Sequence, residues 1–388
     1  MKAIRWAGFI MVAILTSCVE RYYPEDTDPY TGLLAVNAHL TGKPGMQKIR
    51  LSRSDRLIYP EYRPEPGAAV QVENELGEVV PFTESDQGEY VADVPAEFLQ
   101  KGLNYRLLLV TADGNHYESD FTTLHSVTAI DSVYYRVETI PGAEGTVTDG
   151  IRFYMDFAID LERTRYLRWE LIETYEYRNP DYDGFIFDLD RVLRPLPDSM
   201  SDRQCWITLH VPEIYTLDTK NLTSERYSMK PLHFVSSQTQ RLKYGYSLLV
   251  RQLSMDEVAF RYWEDLKMNT QESGALFDRQ PSITPGNICN CNDPAEKVLG
   301  YFSISGVHEK RIFVKDVEGL QITDKIFCFP DFDYPRYYYL GNDDLPVFMS
   351  EAVWPETGVT YFGYTPQRCL DCRLHRGSSG DPPDFWPE

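Results

Sequence analysis

The chain has 388 residues, 43% of them hydrophobic, so it is long enough to bury more than one apolar core. Its 59 acidic residues outnumber 38 lysines and arginines, which gives a formal net charge of −21 at pH 7. This balance argues against nucleic acid and anionic lipid headgroups as partners, because a negative surface repels both.

Residues 1–17 have the pattern of a bacterial lipoprotein signal peptide. Lys2 and Arg5 precede an apolar run from Ala7 to Leu15, which is much shorter than the roughly 20 apolar residues that cross a membrane. The run leads into "LTSC", which resembles a lipobox, the motif whose cysteine becomes the acylated first residue of the mature protein. Cys18 is therefore the predicted lipidation site. An ordinary secretory peptide with an incidental cysteine is the alternative.

A polar tether and a small β domain follow. Residues 18–31 are polar and contain prolines, a composition that suits an unfolded tether. From 32 to 125, short alternating segments are separated by Gly, Pro, Asn and Asp, and about seven strands at this spacing predict an antiparallel β-sandwich. The segments are LLAVNAHL, QKIRLS, AAVQVEN, VVPFTE, EYVADV, YRLLLVTA and HYESDFTTL.

Residues 126–388 are predicted to form a larger β-rich domain with at least one α-helix, near 255–270. Its strand segments are longer and rich in Tyr and Phe, side chains that pack well on a pleated surface. Ser254 and Glu257 have the spacing of a capping box, which marks the start of the helix. The predicted apolar face of this helix consists of Val258, Ala259, Tyr262, Trp263 and Leu266.

The stretch "NPDYDGFIFDLD" permits two interpretations. Oxygen-bearing side chains at Asn179, Asp181, Asp183 and Asp190, with Gly184 between them, approach the pattern of a calcium loop. Asn-Pro and Asp-Gly are also turn signals, with Gly184 at positive φ, and β segments rather than helices flank the stretch. We favour a hairpin turn, and these four residues are the one candidate Ca²⁺ site, with no other cofactor expected.

Six cysteines remain after Cys18, and an even number in an exported chain favours disulfides. A bridge between Cys289 and Cys291 would be strained, so different partners are expected for these two. Four thiolates around zinc, from "CNC" and "CLDC", are the alternative. The disulfide candidates are Cys205, Cys289, Cys291, Cys328, Cys369 and Cys372.

The C-terminal tail is rich in Gly and Pro, which predicts loops held by Cys369 and Cys372. Phe385 and Trp386 are expected to dock the tail on its own domain. An anchor for a partner protein is the alternative use of these two aromatic residues.

Several blocks resemble the Bacteroidota outer-membrane lipoproteins grouped as domain of unknown function 4249. They are the lipobox, "IDSVYY", "SLLVRQLSMDEVAFRYWEDL", "FDRQPSITPGNI", "VLGYFSISGVHEKRIF" and "CLDCRLHRGSSGDPPDFW". The resemblance implies an N-terminal immunoglobulin-like or prealbumin-like sandwich on a lipoprotein encoded beside a TonB-dependent transporter. It implies no catalytic residues. It also implies an outer-membrane location, with the cell surface favoured and the periplasmic face left open.

The sequence contains no nucleophile elbow, zinc-protease helix, phosphate loop or dinucleotide fingerprint, so we expect no enzymatic activity. "GVHEKR" is interpreted as a surface turn. The leading hypothesis is a non-catalytic accessory lipoprotein that binds a TonB-dependent transporter or captures its cargo. A stand-alone glycan- or peptide-binding lipoprotein and a structural or adhesion protein of the envelope are the alternatives.

Overall fold

We analysed a computed structural model of the chain. It describes residues 31–55, 61–142, 146–160, 165–180, 183–271, 284–322, 345–353 and 360–387, with residues 328, 331, 341 and 358. The predicted signal peptide, Cys18, the tether up to residue 30, and Asp181 lie outside the described residues.

The described residues are mainly β-strand and include one α-helix, as predicted. The strands are β1 (Leu34–Thr41), β2 (Gly45–Arg53), β3 (Arg63–Pro64), β4 (Ala69–Asn74), β5 (Val79–Asp86), β6 (Glu89–Val94), β7 (Asn104–Val110), β8 (His116–Ser119), β9 (Thr122–Thr123), β10 (Ile130–Pro141), β11 (Val147–Ala158), β12 (Tyr166–Arg178), β13 (Gly184–Phe187), β14 (Leu193–Pro195), β15 (Gln204–His210), β16 (Tyr215–Asp218), β17 (Arg226–Ser236), β18 (Tyr246–Met255), β19 (Ile288–Asn290), β20 (Leu299–Ser305), β21 (Val307–Val314), β22 (Val347–Val353), β23 (Thr360–Tyr364) and β24 (Ser378–Ser379); the helix α1 spans Glu257–Gln271.

The first sheet folds over on itself around one apolar core. Its strand order is β19-β8-β7-β4-β5-β6-β2-β1-β20, with β3 beside β2 and β9 beside β7. The turning point is β5, because Val79–Phe82 pair with β4 whereas the residues from Thr83 onward pair with β6. Alternate side chains of these strands point into a shared core. The result is a nearly barrel-shaped first sandwich.

Residues far along the chain complete this first sandwich. β20 pairs in parallel with β1, and β19 pairs antiparallel with β8. Ile288, Phe302 and Ile304 are buried in the same core as the N-terminal strands. The predicted boundary at residue 125 is therefore too simple, since the first sandwich also needs residues from the predicted second domain. Pattern analysis found no strands here because β19 is short and because a parallel partner leaves no local turn signal.

Two further sheets face each other to form the second sandwich. One has the order β10-β11-β17, and the other has the order β21-β18-β12-β15-β24 with β16 also paired to β12. Phe153 stacks on Tyr246 at 5.5 Å, and Phe157 packs against Trp169 at 5.2 Å between ring centroids. These aromatic pairs pack the two sheets against each other around one apolar core.

A small four-stranded sheet has the order β14-β13-β22-β23 and a core of its own around Phe187, Val347 and Met349. Two disulfides lie beside it. Cys205 in β15 is joined to Cys372, and Cys328 is joined to Cys369. β24 then pairs with β15, so the C-terminal segment is held on the second sandwich.

The helix α1 is two residues out of register with its predicted cap. Asp256 is the N-cap, because its Oδ1 accepts a hydrogen bond from the Ala259 N–H at 2.8 Å. Ser254 lies in β18 instead, where it bonds the backbone of residue 125. Val258, which was assigned to the apolar face, is 62% exposed, while Ala259 is buried. In the described part of the chain, no helix has the length and apolarity needed to span a membrane.

Candidate functional site: the cleft at the junction of the two sandwiches

A cleft of about 570 Å³ lies where the first sandwich meets the second. Its walls come from four connecting segments, near residues 42–44, 99–101, 124–127 and 306–309. The first two segments belong to turns of the first sandwich, and the last joins β20 to β21, which lie in different sandwiches. Both sandwiches therefore build the site. Pockets that bind small ligands are often found in such a position.

Two glycines allow these segments to approach each other. A Cβ on Gly306 would lie 2.3 Å from the carbonyl oxygen of His125, and one on Gly42 would lie 2.8 Å from Leu124. The Ser254 hydroxyl donates to the His125 carbonyl and accepts from the Gly306 N–H, each at 3.0 Å. The back of the cleft is thus fixed by backbone contacts.

One carboxylate connects the cleft to the charged interior of the junction. Glu309 accepts from Lys43 Nζ at 2.9 Å through Oε2 and from Arg251 Nε at 2.8 Å through Oε1. Burial alone would raise the pKa of Glu309, but Lys43 and Arg251 outweigh it and lower this pKa. The group is therefore an ionised, doubly held acceptor.

The donors in the cleft come from basic side chains. The His308 Nδ1 accepts a hydrogen bond from the Ile130 N–H at 3.1 Å, so a neutral His308 carries its proton on Nε2. Lys101 is exposed on the opposite wall. Leu99, Val127 and Val307 supply the apolar surface. The site therefore combines apolar contact with a few fixed hydrogen-bonding groups.

Behind the cleft, ion pairs across one sheet of the second sandwich lead from β21 through β18 and β12 toward the helix. Arg251 also lies 3.5 Å from Glu170, which pairs with Arg168. Arg168 is 8% exposed, and its guanidinium carbon lies 3.8 Å from the centre of the Trp263 ring. Burial opposes ionisation of Glu170, but Arg168 and Arg251 outweigh it and lower its pKa. Each buried charge thus has a partner, which limits its desolvation penalty.

His39 of β1 closes this network from the side of the first sandwich. Its Nδ1 lies 3.0 Å from the Ser303 hydroxyl, and its ring centroid lies 5.0 Å from that of Trp263. Burial, reinforced by the Arg168 charge, lowers the pKa of His39 to about 3. The imidazole is therefore neutral, and the two sandwiches share one contiguous polar interface.

A second polar cluster lies inside the second sandwich. Glu173 accepts from Tyr246 at 2.9 Å and from Arg241 at 3.1 Å, and His233 Nε2 lies 3.7 Å away. Burial opposes ionisation of Glu173, but His233 and Arg241 outweigh it and lower its pKa. The cluster satisfies a buried carboxylate within the packed core.

Of the four predicted calcium residues, the three that the structure describes are not gathered at one point. Asn179 is buried and donates to the Arg368 carbonyl, and Asp183 is highly exposed before β13. Asp190 lies beyond the other end of β13, roughly 13 Å along the strand direction, in an ion pair with Arg194. The described residues contain no group of three or more His, Cys, Asp or Glu side chains placed to hold a metal.

The hairpin interpretation of the same stretch is also wrong. β13 pairs with β14 and β22, not with β12, so residues 179–183 connect two different sheets. Gly184 does not have a positive φ. A Cβ there would instead crowd Leu196 at 3.1 Å. Local turn signals marked the break correctly but could not indicate which sheet the next strand joins.

The other predicted residues lie as follows. Cys289 and Cys291 are exposed free thiols, not disulfide partners of other cysteines.

The C-terminal tail docks on its own domain. Trp386 lies 6.1 Å from Phe313 between ring centroids, and the Arg311 guanidinium lies 3.5 Å from the centre of the Phe385 ring. His308 and Glu309, taken from sequence as a surface turn, line the cleft. Gly306, which lies between two strand-like segments, was the sequence feature that could have indicated a junction here.

The fold is that of two joined β-sandwiches with a cleft at their junction. A family model for "Domain of unknown function (DUF4249)" matches residues 20–311, and the chain belongs to this family. No curated protein matches the sequence. The chain is similar to a solved structure described as a "tetra-tandem repeat in extending region of large adhesion protein", with 11% identity over 87% of this chain and 74% of that chain. The TM-score of this match is 0.17, which is too low to indicate a shared fold.

Proposed function

We propose that this protein is a non-catalytic outer-membrane lipoprotein that works beside a TonB-dependent transporter and captures its cargo in the cleft between the sandwiches. The observation that carries the proposal is the cleft itself, because its volume of about 570 Å³ lies within the usual range of roughly 300–1,000 Å³ for small-ligand sites. The resemblance to this family, which implies a lipoprotein encoded beside a transporter, supports the same assignment.

The walls of the cleft suit capture without large rearrangement. Gly306, Ser254 and the backbone of residue 125 fix one side, and Glu309 is held by two cations. Groups already held in place lose little conformational entropy when a ligand binds. A ligand with an apolar body and a polar or anionic end would match Leu99, Val127 and the basic groups of the cleft.

The same contacts support a binding role over a catalytic one. Glu309 is ionised and doubly paired, so it is a weak proton acceptor at neutral pH. His308 uses Nδ1 to accept a backbone hydrogen bond, which leaves it a fixed donor through Nε2. These groups would orient a bound molecule without reacting with it.

Anchoring would come from Cys18. Acyl chains contribute about 0.8 kcal/mol per buried methylene, so a multiply acylated Cys18 would retain the protein on a membrane without a spanning helix. The acidic residues soon after Cys18, such as Glu20 and Glu25, favour display at the cell surface.

Native co-purification tests the proposal. The chain is tagged at its C-terminus and isolated in mild detergent from outer membranes, and bound proteins are identified by mass spectrometry. We expect a transporter barrel to co-purify in an amount near-equal to that of the tagged protein. The Cys18→Ser variant, which cannot be lipidated, should not reach the outer membrane. Recovery of the lone monomer with a bound glycan or peptide would favour a stand-alone binder. An empty monomer would favour a structural or adhesion role.

A further inference from the structure

Two exposed thiols form a feature that the proposed function does not use. Cys289 and Cys291 are free, whereas Cys205, Cys328, Cys369 and Cys372 are joined in disulfides. Both free thiols lie at one edge of the first sandwich. Cys289 belongs to the edge strand β19, and Cys291 follows that strand directly.

The strand register places other donor atoms beside them. Cys289 lies opposite Glu118 of β8, and the Cys291 N–H donates to the His116 carbonyl at 2.8 Å, which extends the ladder by one pair. Side chains alternate between the faces of a sheet, and Asn290 and Tyr117 between these pairs point inward and are buried. The two thiols, the His116 imidazole and the Glu118 carboxylate therefore share the outer face.

The chain around the thiols is firmly held. Asn290 is buried, and its Oδ1 accepts from the N–H groups of Asn292 at 2.7 Å and Asp293 at 3.1 Å. The Asn292 Oδ1 in turn accepts from the His116 N–H at 2.7 Å. Side-chain bonds thus fix the backbone that carries Cys291 to the backbone that carries His116.

Geometry disfavours a bond between the two sulfurs but suits a bridging ion. Cβ atoms two residues apart on one strand are about 6.7 Å apart, well beyond the roughly 3.5–4.5 Å of a disulfide. Metal–thiolate bonds of about 2.3 Å let one ion join sulfurs as much as ~4.6 Å apart, which rotation of two exposed side chains can reach. A cavity of about 280 Å³ is lined by Cys291, His116 and Glu118, and Cys289 lies next to it opposite Glu118 in the strand register.

We propose that Cys289 and Cys291 chelate one thiophilic d¹⁰ cation, Cu⁺ or Zn²⁺, with the His116 imidazole as third ligand. Thiolate and imidazole donors select these ions over Mg²⁺ or Ca²⁺. In the part of the chain that is described, no three such side chains already converge. Binding therefore turns exposed side chains onto the ion, at an ordering cost of roughly 0.5–1.5 kcal/mol each.

The thiolate, not the thiol, is the metal ligand, so binding of the cation releases thiol protons. Neither the cleft nor a transporter is involved, so this site stands independently of the proposed function.

Metal titration of the full mature chain tests the site. The variants Cys289→Ser, Cys291→Ser and His116→Ala are compared with His210→Ala, which removes an exposed imidazole on β15. Zn²⁺ is titrated against a chromophoric chelator without reductant. Cu⁺ is titrated against a Cu⁺ chelator with ascorbate, and the native disulfides are verified by mass spectrometry.

We expect one ion per chain and tighter than roughly micromolar binding for one of the two metals. Changes to residues around a metal's ligands typically lower metal affinity by up to roughly 100-fold. Either serine variant removes a ligand, so its metal affinity should fall by more than this. The affinity of His210→Ala should equal that of the parent chain. Full affinity in either serine variant, no binding by the parent chain, or thiols found joined to each other or to a second copy would each overturn the site. Unchanged affinity in His116→Ala would overturn the role of that residue.

Discussion

At the scale of single residues, His39 shows how the junction depends on a neutral group. Its pKa of about 3 lies below the ordinary value of 6.5, so below pH 6.5 the unfolded chain binds a proton that the folded chain excludes. Stability is therefore complete above pH 6.5 and is lost as the pH falls toward 3. At pH 5 the loss from this residue is about 2 kcal/mol.

We predict that His39→Gln weakens this pH dependence. Chemical denaturation at pH 7 and pH 5 should show a loss of unfolding free energy about 2 kcal/mol smaller in the variant than in the parent chain. The pKa values of Glu170 and Glu309 are lowered too, but these groups act only below pH 4.5, their ordinary value. His210→Gln, an exposed site, should behave as the parent. Equal slopes for His39→Gln and the parent would contradict the burial of a neutral imidazole.

Residue roles at the junction were not readable from the sequence. His39 and Ser303 are 264 positions apart, and nothing in their local patterns connects them. Arg168 and Glu170 alternate with apolar residues along β12, and no local pattern shows that Glu170 pairs with both Arg168 and Arg251. The capping signal near residue 255 was correct to within two residues, because a cap is a local interaction.

At the scale of elements, one side chain closes the first sandwich. β19 and β20 share no ladder in the sheet order, but the Asn287 amide donates to the Phe302 carbonyl and accepts from the Phe302 N–H, both at 2.9 Å. Asn287 is 7% exposed, so water cannot replace these bonds easily. These two hydrogen bonds connect the segment before β19 to β20 in the way that a further strand pair would.

We predict that Asn287→Ala destabilises the first sandwich by roughly 2–4 kcal/mol, because it leaves a buried N–H and carbonyl unpaired. Hydrogen exchange should accelerate at β20 amides, and denaturation should begin at lower urea. Asn221→Ala, at an exposed position, should change stability by less than about 0.5 kcal/mol. Protection of β20 equal to that in the parent chain would show that the sandwich closes without the amide.

Strand patterns predicted most elements but not their partners. Alternation in "LLAVNAHL" and "YLRWELIETYEYR" marks β1 and β12, because burying one face of a sheet imposes it. β13 was also visible as "FIFDLD", yet it pairs with β22, more than 150 residues away. Pairing depends on tertiary packing, which local periodicity does not encode.

At the scale of the whole molecule, the chain passes from the first sandwich to the second and back. The segment after α1 contributes β19 and β20 to the first sandwich before β21 returns to the second. Three crossings by one chain, with the ion pairs at the junction, favour a fixed arrangement around the cleft. A fixed cleft is the basis of the proposed cargo capture, and composition alone gave no indication of it.

Site-specific photo-crosslinking in intact cells tests this claim most directly. A photoreactive amino acid replaces Lys101 on the cleft wall in one strain, and Lys220, an exposed residue outside the cleft, in another. We predict that the Lys101 position crosslinks to a transporter barrel or a small cargo molecule, with the Lys220 position giving background only. Equal yields at both positions, or no adduct at Lys101 in cells that retain the protein at the outer membrane, would contradict the assignment of the cleft as the capture site.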